Sequence, residues 1–200
     1  MSKKTKTKLK YQDESLNLAT PEKYILSIRI SPDGFSFSVL DGMRSKFVAY
    51  HLFRFRSADS ISLCKEVDAV YEKNPWLKGN FRKVFVLLET PKSTLIPEPL
   101  FENSEKELYL KFNHTLNSYE QIAFDYLKNV DAYNVFALPD CLKFRMQKYY
   151  KRYQIVHFST PLIESLLINN KNANLDKTIF LNVRQKNIDI ILLKNQSLHY

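Results

Sequence analysis

One pattern, strand, tight turn, strand, occurs twice in this chain, 153 positions apart. Residues 25–40 read ILSIRISPDGFSFSVL and residues 178–193 read TIFLNVRQKNIDIILL. Each alternates or runs apolar through two strand-length segments around a polar break. Laid on each other without a gap, the turn Pro32-Asp33-Gly34 falls on Gln185-Lys186-Asn187. Gly34 and Asn187, the residues that best tolerate a left-handed backbone, coincide. A hairpin repeated at this distance implies a duplicated domain.

The segments between the hairpins alternate strand and helix. Asp41-Gly42 is a turn signal, and residues 46–55 then read as a third strand, which makes an antiparallel meander. Ile61, Leu63, Cys64, Val67, Val70 and Tyr71 recur at helical spacing, with Ser57 or Asp59 to cap the helix and Pro75 to stop it. Residues 83–89 form a nearly continuous apolar strand and residues 93–97 a short extended piece. A helix is expected over 103–113, with Ser104 and Glu107 placed for a capping box. Strands follow at 120–127 and 132–138, a helix from Pro139-Asp140 to about Tyr150, a strand at 153–158 and a helix from Thr160 to about Asn170. A meander feeding helix-separated strands predicts a mixed α/β sheet.

The predicted organisation is a disordered basic tail over 1–22, a first subdomain over 23–175 with a small insertion around 93–130, and the start of a second over 176–200. The second is expected to continue past Tyr200; alternatively its hairpin completes a single domain. Net charge is +9, but five lysines sit in the first ten residues, which leaves +4 for the rest. The tail is read as a solubilising terminus. Cys64 and Cys141 stand far apart without a CxxC, and the histidines are scattered, so a reduced, cytoplasmic protein without structural zinc is expected. No apolar run has the length of a membrane helix.

At the two hairpins the chain resembles the actin-like ATPase superfamily, which includes actin, the heat-shock chaperones, sugar kinases and bacterial cytoskeletal relatives. Within it, ISPDGFSF at 30–37 and FLNVRQ at 180–185 resemble a bacterial family known only as a domain of unknown function. The resemblance implies an actin-like, ribonuclease H-like sheet. In that superfamily each subdomain opens on a meander whose first turn carries an Asp-x-Gly phosphate loop. Here the family's metal-linked Asp falls on Arg29 and the following Gly on Ser31. In the second loop the Asp falls on Asn182 and the glycines on Arg184, Gln185 and Lys186; Asp33, Gly34 and Asp189 survive nearby. Such a loop needs glycine for close backbone approach to phosphate and a carboxylate for Mg²⁺ or its water. With three glycines in the chain, all before residue 80, the material is missing.

Other chemistries are poorly supplied. A two-metal nuclease needs clustered carboxylates, and the first strand has none before Asp33. No Walker loop, nucleophile elbow or HExxH occurs. His157 lies inside an apolar strand and reads as a packed residue. Residues 143–153 interleave five basic residues, Lys143, Arg145, Lys148, Lys151 and Arg152, with four aromatics. That composition can stack bases and neutralise phosphates, although aromatics covering core with solvated charges give the same pattern.

The sequence therefore predicts a degenerate actin-like pseudo-ATPase acting as a protein-interaction scaffold, with no catalytic residues, no cofactor and no metal. Polyanion binding through 143–153 is the alternative, and an active ATPase or kinase the second. Arg29, Arg184 and Lys186 could also hold an anion without metal. A protein partner is expected, and a homo-oligomer is compatible with the sequence.

Overall fold

The computed structural model describes residues 6–57, 59–171, 176–184 and 187–199. The first strand, β1 (Lys6–Gln12), lies in the lysine-rich start of the chain. It pairs antiparallel with β4 (Lys46–Arg54), after β2 (Tyr24–Ser31) and β3 (Gly34–Asp41). This corrects the expectation of a tail without structure through residue 22. Backbone pairing along the outer edge of β4 holds a segment whose side chains supply little core.

β2, β3 and β4 form the expected meander. Helix α1 (Ser60–Lys73) follows and is capped by Asp59, whose carboxylate accepts from the Ser62 N–H at 2.7 Å. Strand β5 (Lys83–Leu88) then returns parallel to β2. Next come β6 (Ser93–Pro97), α2 (Lys106–Asn113), β7 (Glu120–Leu127) and β8 (Ala132–Pro139). No side-chain bond caps α2, so the Ser104–Glu107 capping box does not form. Strands β6, β8 and β7 make a separate antiparallel sheet, so the inserted unit runs on to Pro139. Helix α3 (Asp140–Tyr149) and strand β9 (Tyr153–His157) complete a six-stranded mixed sheet of order β1-β4-β3-β2-β5-β9. Helix α4 (Ser159–Asn170) leads to β10 (Lys177–Val183), β11 (Ile188–Lys194) and β12 (Ser197–His199), a three-stranded antiparallel sheet.

The main core lies between the six-stranded sheet and α1 and α3. Leu26, Ile28, Ile30, Phe35, Phe37 and Val39 are all at most 1% exposed and pack with Val67, Val70 and Tyr71 of α1. Alternation along β2 and β3 puts these six side chains on one face. Cys64 and Cys141 form a disulfide that ties α1 to α3 across 77 positions. The expectation of two unpaired core cysteines in a reduced protein is corrected accordingly.

Gly34 does not have the positive φ that its turn suggested. Its constraint is steric: a Cβ there would stand 2.6 Å from the Phe53 carbonyl oxygen on β4. Glycine lets β3 start against β4 directly after a two-residue turn.

Candidate functional site: a charged seam between the two hairpins

The inner faces of the two hairpins converge. Strand parity turns Arg29 away from the core that Ile28 and Ile30 occupy, toward the second hairpin. One position past β5, the Glu89 N–H donates to the Ile30 carbonyl at 2.8 Å, which continues the parallel ladder. Its carboxylate, 7% exposed, thereby reaches Arg29. The same carboxylate accepts from the Arg184 Nη1 through its other oxygen. Arg184 Nη2 reaches Asp189 Oδ1 at 2.5 Å, and Asn182 Nδ2 donates to Asp189 Oδ2 at 2.8 Å. A continuous polar chain thus runs Arg29–Glu89–Arg184–Asp189–Asn182, from the first hairpin to the second.

Two cations meet two carboxylates, so the seam is close to self-neutralised. Arg184 is its centre. Its guanidinium also lies 4.8 Å from the centroid of the Phe158 ring, a favourable cation–π geometry. Burial alone pulls the guanidinium pKa down, yet Asp189 and Glu89 together raise it above the ordinary value. Its Nε is buried without a hydrogen-bond partner. On either side of Arg184 lies a cleft of about 300 Å³. One is bordered by Arg29, Asp33, Gly34, Arg54 and Asn182. Ser31 hydrogen-bonds Asp33 at 2.6 Å and the Gly34 carbonyl at 3.1 Å, so its hydroxyl is spent inside its own turn.

The second cleft is backed by a buried polar cluster. His157 Nε2 lies 3.0 Å from the Thr90 carbonyl, which makes Nε2 the protonated nitrogen and Nδ1 an acceptor. Nδ1 then accepts from the Ser159 hydroxyl at 2.7 Å. Asn134 Nδ2 reaches Ser159 and Thr160 at 3.0 and 3.1 Å. Asp125 accepts from the His157 N–H at 2.6 Å and from the Thr160 hydroxyl at 3.0 Å. Burial raises the Asp125 carboxyl to about 6 and lowers the imidazole pKa. The cluster joins β7, β8 and β9 to the start of α4, and every polar group named in it has a partner. His157 is the packed residue that its strand suggested, 2% exposed.

The sequence-derived positions divide. Arg29, Asn182, Arg184 and Asp189 are brought together; Ser31, Asp33 and Gly34 stand at the adjoining turn; Lys186 lies outside the described residues. Glu89 was missed, and its one sequence signal is a carboxylate closing an apolar strand. Among the described residues no group of three or more His, Cys, Asp or Glu is arranged to hold a metal.

The basic-aromatic segment is dispersed. Arg145 forms a two-point pair with Asp68 and donates to the Cys141 carbonyl at 2.8 Å. Lys143 reaches Gln121 at 2.5 Å. The Tyr150 hydroxyl donates to the Leu77 carbonyl at 2.9 Å and lies 2.8 Å from the Tyr71 hydroxyl, deep in the core. Lys148, Lys151, Arg152 and Phe144 remain exposed.

Comparison with known proteins supports the architecture. The comparison with curated proteins found no match. A crystal structure from Bacteroides thetaiotaomicron VPI-5482, described as a protein with actin-like ATPase fold and unknown function, aligns with a TM-score of 0.83 at 26% identity. The alignment covers 92% of this chain and 70% of that one. The fold is therefore an α/β fold of the actin-like ATPase type. No helix among the described residues is long and apolar enough to cross a membrane. The family model described as "Protein of unknown function (DUF3822)" matches residues 13–200, and the chain belongs to that family.

Proposed function

We propose that this chain is a pseudo-ATPase of the actin-like fold, a non-catalytic protein-interaction scaffold that uses no nucleotide or metal. The observation that carries the reading is the Arg29–Glu89–Arg184–Asp189 seam. It fills the junction where the two hairpin turns of an actin-like protein would face a metal-bound nucleotide.

A magnesium-nucleotide suits these residues poorly. Arg29 puts a cation where a carboxylate would orient the metal, and Asn182 is neutral. The two acidic groups that remain, Glu89 and Asp189, are already paired with arginine. Freeing them for a metal would leave buried cations without partners, a cost of several kcal/mol. Gly34, the one glycine of the turns, answers a crowded contact with β4.

The same reading takes the second sheet as the start of a repeated subdomain, in a cytoplasmic, bacterial protein. The shared register supports repetition: Ile30 faces Phe35 in the first hairpin, and Val183 faces Ile188 in the second, each 153 positions on.

Calorimetric titration with ATP, with and without Mg²⁺, tests the proposal. No heat of binding at millimolar ATP is expected, and a Mg²⁺-dependent isotherm in the micromolar range overturns it.

A second reading, polyanion binding, rests on the exposure of Lys148, Lys151 and Arg152 beside Phe144. It requires RNA or DNA binding that weakens steeply with salt. Reversing those three charges must abolish the binding; unchanged binding removes this reading.

A further inference from the structure

The register shared by the hairpins allows a position-by-position comparison of their outer faces. In the first hairpin, Leu26, Ile28, Ile30, Phe35 and Phe37 are at most 1% exposed. Their counterparts 153 positions on are Ile179, Leu181, Val183, Ile188 and Ile190. All five are apolar, and all five are 60–71% exposed. They lie on one face, because Leu181 pairs with Ile190 and Val183 with Ile188 across the two strands. Five β-branched or leucine side chains side by side on an open sheet face are unusual in a soluble protein and mark a surface that is normally covered.

The first hairpin shows what covers such a face. Tyr71 of α1 meets the Phe35 ring edge-on at 5.9 Å, and Trp76, just beyond α1, meets Phe37 at 5.3 Å. Helix α1 comes directly after the third strand of its meander. The second meander already has its third strand begun, in β12. The Bacteroides structure extends well past the alignment, since the chain covers 70% of it.

We propose that the face Ile179–Leu181–Val183–Ile188–Ile190 is the seat of an amphipathic helix supplied by polypeptide that follows Tyr200. This helix stands to β10 and β11 as α1 stands to β2 and β3. Its inner side carries apolar residues at spacings of three and four, with an aromatic near Ile188 as Tyr71 is near Phe35. The proposal rests on the repeated-subdomain reading and is independent of whether nucleotide binds.

The test uses the complete natural polypeptide carrying a photoreactive benzoylphenylalanine at Leu181 or, separately, at Ile190, with Ile168, an exposed position of α4, as control. Crosslinks from 181 and 190, mapped by mass spectrometry, are expected within one molecule, to a helical segment beyond residue 200. The control is expected to give none there. As a second readout, cysteine at 181 should react with a maleimide at least tenfold more slowly than cysteine at 168. Crosslinks to a second copy, no crosslink with fast labelling, or a reading frame that stops at Tyr200 each overturn the proposal. ATP binding would overturn the scaffold reading and leave this result standing.

Discussion

The two hairpins share a register and differ in what each face does. In the first, the outer face is core and the inner face is mostly small and polar: Ser27, Arg29, Ser31, Ser36 and Ser38. In the second, the inner face holds the hairpin to the body. Ile191 and Leu193 pack with Ile163 and Leu167 of α4, and Asp189 and Arg184 join the charged seam. One backbone pattern thus supports opposite burial, and the side chains 153 positions apart decide which face is anchored. The first hairpin is held by apolar burial against α1, the second by a smaller cluster and by charge.

Truncating matched positions sharpens this contrast most. In the 200-residue chain, Phe35→Ala is expected to cost about 4 kcal/mol in urea unfolding, because it empties a fully buried ring site. Ile188→Ala, at the matching position, is expected to cost under about 0.5 kcal/mol. Equal costs would break the comparison.

Glu89→Gln comes next. It leaves Arg29 and Arg184 without their shared carboxylate, and about 3 kcal/mol of destabilisation is expected. A change below about 0.5 kcal/mol would mean that the seam carries little of the hairpin's attachment.

Asp125 gives a pH signature of comparable size. Its carboxyl lies at about 6 in the folded protein, above its ordinary value of 3.8. Between those values the folded state keeps a proton that the unfolded chain has lost. The Asp125 contribution therefore falls as pH rises from about 4 to about 6, by about 3 kcal/mol at most. Buried His157 acts in the opposite sense: its lowered pKa favours folding above about 6.5, and that gain is lost as pH falls. Asp125→Asn keeps the acceptor for the His157 N–H and removes only the first slope. The difference between wild-type and variant stability across pH 4–7 isolates it, and an unchanged profile refutes the assignment.

The smallest effect separates the turns. Gly34→Ala drives a methyl into the Phe53 carbonyl and should cost about 2 kcal/mol, whereas Asn187→Ala should change stability by under about 0.5 kcal/mol.

Much of the scaffold was legible because it is written in local pattern. The meander, the order of helices and strands and the α1 stop at Pro75 all follow from periodicity and turn residues within short windows. The inner-face cations Arg29 and Arg184 could be named because strand parity and the repeat fix their positions. Glu89 could not, since its partners lie 60 and 95 positions away and only the β2–β5 pairing brings them together. The disulfide escaped for the same reason, spanning 77 positions between two helices. β1 was missed because its lysines and threonine carry no apolar alternation; its order comes from the open edge of β4. Gly34 was noticed for conformational freedom, but its constraint is space, a property of the neighbouring strand.

The central claim is that charge pairing across the seam holds the second hairpin to the first. A double-mutant cycle on Glu89→Gln and Arg184→Met, read by urea unfolding with circular dichroism, measures it directly. A favourable coupling of about 2 kcal/mol is expected between the two positions. Additivity within about 0.5 kcal/mol would show that the hairpins are held by apolar packing alone and would contradict the account.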